Sequence, residues 1–162
     1  MTRHRLVLPV LGAAVFGIAA LSWAREPVAA VRYRVSTREA PRHLIAEGKG
    51  SATLLLNAST GASAASVTLL ELGPGAAVPE HTHEASAEIL YIEDGAAEMA
   101  VDGQKLKVER GDAVYIPAGA KHSARVVSEG PMRAVQVYAG PGPEQRFTQG
   151  PRVDTKDKKD GK

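Results

Sequence analysis

Cysteine is absent from these 162 residues, so the chain forms no disulfide even in an oxidising compartment and its stability must come from packing and any bound metal. The same absence excludes a lipid anchor made through an N-terminal cysteine. Aromatic residues are scarce, at one Trp, two Phe and four Tyr, and no stretch has the spacing of an amphipathic helix. A surplus of one charge is also lacking. Lys and Arg number 20 against 18 Asp and Glu, and removal of Arg3 and Arg5 with the leading segment makes the two signs equal. No basic stripe with interleaved aromatics is left to suggest a nucleic-acid partner.

One long apolar run does occur. Arg3, His4 and Arg5 precede the stretch from Leu6 to Leu21, and Ser22 and Ala24 put small residues at the −3 and −1 positions of a cleavage site. Residues 1–24 therefore read as a secretory signal peptide. A periplasmic or secreted location follows as an expectation, with no stable membrane association after cleavage. The alternative is an uncleaved anchor, because the run approaches spanning length. Pro9 and the small residues after Leu21 favour cleavage.

Sixteen glycines and ten prolines cut the rest into pieces too short for helices and suited to strands. Apolar runs recur at 52–56, 67–72, 88–92, 96–101, 104–108, 113–116, 122–127 and 132–139, each closed by turn residues. Asp102 and Gly103 form the dipeptide of a tight type I′ hairpin. Some eight strands spaced in this way predict an all-β antiparallel sandwich or barrel over residues 51–140. Residues 25–50 read as an arm or linker, in which Val31, Tyr33 and Val35 alternate with Arg32 and Arg34 as in an edge strand. Residues 141–162 read as a disordered tail, with Phe147 the one side chain able to dock on the barrel.

His81 and His83 stand two apart, so on a strand both imidazoles leave one face. Glu88 opens the run EILYI, and His122 follows the turn residues Pro117, Ala118 and Gly119. From Gly75 to Gly95 the chain reads GAAVPEHTHEASAEILYIEDG, and from Gly111 to Val126 it reads GDAVYIPAGAKHSARV. These stretches resemble the two motifs of the cupin superfamily, G(x)5HxH(x)3–4E(x)6G and G(x)5PxG(x)2H(x)3N. They stand in the family's order, and the 15 residues between them match the short spacer of compact bacterial cupins. Val126 departs from the pattern, standing where asparagine is usual.

The resemblance implies a double-stranded β-helix, or jelly-roll barrel, whose inward ligands are His81, His83, Glu88 and His122. Three imidazoles and one carboxylate suit a single divalent ion of Mn, Fe, Co, Ni, Cu or Zn. The family's relatives with this ligand set include dioxygenases, decarboxylases and isomerases, so an exported, metal-dependent enzyme on a small substrate is one expectation. A non-catalytic module that binds a small molecule or a metal is the other. With Phe16 and Trp23 in the leading segment, the remaining aromatics poorly supply a cavity for a flat polyphenol. A homodimer is expected from the family. By strand alternation Glu80, Glu84 and Tyr91 face outward, Val126 lines the cavity, and His43 is a solvated loop residue. Tyr115 and Gln136 are left open as cavity residues.

Overall fold

The structure, a computed structural model, describes residues 30–153. The expected signal peptide and the charged end beyond Val153 lie outside the described residues. Eleven strands occur among the described residues: β1 (Arg42–Ile45), β2 (Gly50–Leu56), β3 (Ala65–Leu72), β4 (Ala77–His81), β5 (Ala87–Asp94), β6 (Ala96–Val101), β7 (Gln104–Glu109), β8 (Ala113–Ile116), β9 (His122–Val126), β10 (Met132–Ala139) and β11 (Arg152–Val153). They form a seven-stranded sheet in the order β11-β1-β2-β3-β10-β5-β8 and a four-stranded sheet in the order β4-β9-β6-β7. All pairings are antiparallel. This is the all-β jelly roll expected from the strand spacing and motifs.

Alternation decides which side chains fill the space between the sheets. Along β5 the positions Glu88, Leu90 and Ile92 are buried while Ile89, Tyr91 and Glu93 are exposed. Along β10 the buried set is Met132, Ala134, Gln136 and Tyr138. In register, Ala134 lies beside Ile92 and Leu70, whereas Tyr138 lies beside Glu88 and Ser66. The interior thus changes character along its length. One end is an apolar core around Leu72, Ile92, Met132 and Ala134, where each fully buried large side chain contributes about 1.5–3 kcal/mol. The other end gathers Ser66, Thr68, Glu88, Gln136 and Tyr138.

The hairpin between β6 and β7 has the expected form. Asp102 and Gly103 take φ of 46° and 80°, and Val101 pairs with Gln104 across the turn.

Both flanks differ from their expected form. Residues 31–35 make no strand, and Tyr33 is 96% exposed; the Arg32 amide donates to the Thr60 carbonyl instead. The chain enters the sheet at Arg42, where β1 pairs with β2 through a turn at Ala46–Gly48. The barrel therefore begins at Arg42, before residue 51. At the other end, Pro143–Gln149 forms a 3-10 helix with Glu144 and Phe147 buried, and β11 pairs with β1. This segment has too little apolar surface to fold alone, but the free edge of β1 satisfies its backbone. Gly150 is required at the crossing, since a Cβ there would overlap the Leu44 carbonyl. His43 is likewise not solvated: it is buried on β1, with its Nδ1 3.0 Å from the Gly150 carbonyl oxygen. No helix among the described residues is long and apolar enough to cross a membrane.

Candidate metal centre

The polar end of the barrel brings together His81, His83, Glu88 and His122. One ligand atom from each lies within 4.8 Å of the others, and the three imidazole centroids are 4.1, 4.9 and 5.1 Å apart. His81 ends β4 and His122 begins β9, where the two are direct cross-strand partners. Glu88 comes from β5 in the facing sheet, so the cluster spans both sheets.

A β-bulge aims His81 inward. Val78 pairs with Ala124 and His81 pairs with His122, so β4 uses three steps where β9 uses two. The extra residue at Pro79–Glu80 reverses the alternation and puts Val78 and His81 on the same face. The bulge also fixes the imidazole, because the His81 Nδ1–H donates to the Pro79 carbonyl at 2.8 Å. In the same way His122 Nδ1–H donates to the Ala120 carbonyl at 2.9 Å. A carbonyl only accepts, so in both rings Nε2 is the nitrogen turned to the centre.

Electrostatics follow from these contacts. Burial drives the His81 pKa down to about 4, opposed by its bond to Pro79 and reinforced by the charge of Arg146. Glu88 is 4% exposed. Burial alone would raise its pKa, but hydrogen bonds from His122, His83 and Gln136 outweigh that and hold it well below the usual carboxylate range. Its Oε2 lies 3.1 Å from His122 Nε2 and 3.3 Å from His83 Nε2, and its Oε1 accepts from Gln136 Nε2 at 2.6 Å. For His122 burial favours the neutral ring, yet the bonds to Glu88 and Ala120 win and its pKa is raised. Burial, with the nearby Glu88 charge, pushes the Tyr138 phenol far above its usual range.

The donor set fits a metal ion. Bonds of about 2.0–2.2 Å place ligands on opposite sides of one ion about 4.4 Å apart, close to the spread found here. His81 Nε2 is buried and has no hydrogen-bond partner among the described residues, an orphan that ligation would satisfy.

The cluster forms one wall of a cavity of about 520 Å³, within the range that takes small organic molecules. Leu44 and Ile45 of β1, Leu70 and Leu72 of β3, and Leu90, Met99, Met132 and Phe147 make its apolar sides; Gln136 and Arg146 add polar groups.

The outward expectations hold for Glu80, Glu84 and Tyr91, although exposed Glu80 reaches the cavity rim. Gln136 is in the cavity, whereas Tyr115 is 64% exposed on the outer face. Val126 does not line the cavity. It packs in the apolar core beside Ala97, and Ala124 takes the wall position, because the cavity ends one pleat short of it. Tyr138 and Arg146 escaped the sequence reading. For Tyr138 a signal existed, since Gln136 and Tyr138 continue the inward set of β10 as polar groups at core positions.

A jelly roll closing on a three-histidine, one-carboxylate cluster defines a class, and the comparisons agree with it. The cupin-domain family model matches residues 68–138. A tetracenomycin polyketide synthase protein of Streptomyces glaucescens is 31% identical over 110 residues, 68% of this chain and 72% of that protein. The chain belongs to the cupin superfamily. A quercetin 2,3-dioxygenase of Bacillus subtilis is 33% identical over 96 residues, covering 59% of this chain but only 28% of that enzyme. Among solved structures, an RmlC-like cupin of Shewanella frigidimarina superposes with a TM-score of 0.59 at 17% identity, covering 71% of this chain and 96% of that one.

Proposed function

We propose that His81, His83, Glu88 and His122 hold one divalent transition-metal ion, and that the protein is an exported, metal-dependent enzyme acting on a small molecule in the adjoining cavity. The observation that carries this is the convergence of buried Nε2 atoms, two with their tautomers set by backbone carbonyls, on a carboxylate at the cavity wall. Such an ion supplies Lewis-acid or oxygen-activating chemistry when bound.

The chain's own groups have definable parts. Gln136 donates to Glu88 and to the Tyr138 hydroxyl, 2.6 and 3.0 Å away, and so fixes both. Tyr138 keeps its proton and acts as a hydrogen-bond donor at its hydroxyl rather than as a base. The leucines, methionines and Phe147 exclude water from the bound molecule. Similarity to a quercetin dioxygenase supports oxygen chemistry among the reactions open to such a site.

A second reading, a non-catalytic binding module, is favoured by one observation. Of the acids that line the cavity, Glu88 is fully engaged and Glu80 stands at the exposed rim, which leaves no unoccupied buried base beside the cluster. The outer face carrying Ile89, Tyr91 and Tyr115 suits pairing with a second copy.

Elemental analysis of the protein purified from its native compartment tests the metal reading: about one equivalent in the wild type and far less in His122→Ala are expected. Equal, trace metal in both would sink it. Oxygen uptake or substrate loss that vanishes in His122→Ala supports the enzyme, whereas stabilisation by ligand without turnover supports the module.

A further inference from the structure

Arg146 is delivered to the cavity by the 3-10 helix Pro143–Gln149, outside the residues matched by the family model. Its Nη2 lies 3.4 Å from the Tyr138 hydroxyl, and its guanidinium carbon sits 5.1 Å from the Phe147 ring centroid. That same hydroxyl is 3.4 Å from His83 Nε2, so one phenol oxygen links the arginine to the histidine cluster. Among the described residues Arg146 forms no ion pair. The acid on its own helix, Glu144, forms no ion pair with it: the carboxylate accepts from the Gly142 amide at 2.8 Å and the Gln145 side chain at 3.3 Å, although its charge also reaches the Tyr138 phenol.

A half-buried guanidinium without a carboxylate is costly to keep beside apolar walls unless an anion arrives. Gln136 on the same wall is a different case: its Nε2 is engaged by Glu88 and Tyr138, and its buried, unbonded Oε1 is an acceptor that would take a donor and not an anion. Apart from these groups and the His–Glu cluster, the lining is mostly aliphatic, methionine and phenylalanine side chains, with Glu80, Ser123 and Gln149 as the remaining polar residues.

We propose that the cavity takes a carboxylate with an apolar body, its head held by Arg146 beside the histidine cluster and its body against Leu44, Leu70, Leu90 and Phe147. This rests on the small-molecule reading above and names the substrate class for it. The planar guanidinium matches a carboxylate with two parallel N–H donors. Phe147, packed under the arginine, keeps it facing the cavity. A flat neutral polyphenol would leave the arginine charge unanswered.

Octanoate, its neutral analogue octanamide, and acetate serve as probes, titrated calorimetrically into the full chain with its metal content measured alongside. Octanoate is expected to bind at least about tenfold more tightly than octanamide, as one lost charge-assisted hydrogen bond implies, and acetate to bind weakly for want of a tail. Arg146→Gln should lose this preference while retaining metal, and Arg146→Lys should recover part of it. The same preference after metal removal by a chelator assigns it to Arg146 rather than to the ion. Equal affinity for octanoate and octanamide, or a preference unchanged in Arg146→Gln with metal present, overturns the inference and leaves the metal reading standing. Failure to take up metal in the wild type overturns the metal reading, and the Arg146 dependence is then read on the metal-free chain.

Discussion

Glu88 is the residue on which the centre turns. It is a buried carboxylate that accepts from Gln136 and faces two imidazoles, and the histidines around it respond to protons in opposite directions. In the metal-free chain His81 has a folded pKa of about 4, below its ordinary 6.5. The unfolded chain therefore binds more protons in that interval, and stability falls as pH drops from about 6.5 toward 4. Glu88, held below its ordinary 4.5, adds a loss as pH falls below that value. His122 is raised, so its contribution is present below about 6.5 and fades as pH rises through its folded value. Thermal unfolding of the chelator-treated protein should thus show its highest midpoint near pH 6.5. His81→Gln should flatten the acid side between 6.5 and 4 but spare the fall on the alkaline side. A midpoint climbing steadily from pH 5 to pH 8 would contradict these assignments.

At the scale of elements, two devices shape the site: the bulge in β4 and the crossing of Gly150 over β1. Gly150→Ala forces a methyl group against the Leu44 carbonyl and should cost about 1–3 kcal/mol by overpacking, read as a lower urea midpoint. Because the strain falls on the β1–β11 edge, protease sensitivity after residue 140 should rise while the metal content holds. The strands β2, β3 and β5 to β10 were legible in the sequence because each alternates and ends in turn residues. The clustering of His81, His83, Glu88 and His122 was legible because their spacing follows a known pattern. The bulge was not, since one extra residue is visible only against a partner strand. Strands β1 and β11 were hidden for a related reason: four and two residues carry no period, and while β1 pairs with the nearby β2, β11 is held by β1 from more than a hundred positions earlier in the chain.

For the whole molecule, the polar end of one jelly roll is lined by both the middle and the flanks of the chain. The expectation of export belongs to this scale. N-terminal sequencing of the protein recovered from its native compartment should begin at Arg25, and a chain still carrying Leu6 to Leu21 would instead be an anchored form.

The proposed ligands come from β4, the residues just after it, β5 and β9, whereas Leu44, Ile45, Arg146 and Phe147 arrive from the two outer segments. On the proposed reading the ion is gripped wholly by the middle of the covalent chain, while part of the taste, with the arginine, is supplied by its extremities. A lineage could revise what it accepts by editing its extremities while inheriting its ion unchanged, and grafting the ends of one relative onto the middle of another should carry preference across with them.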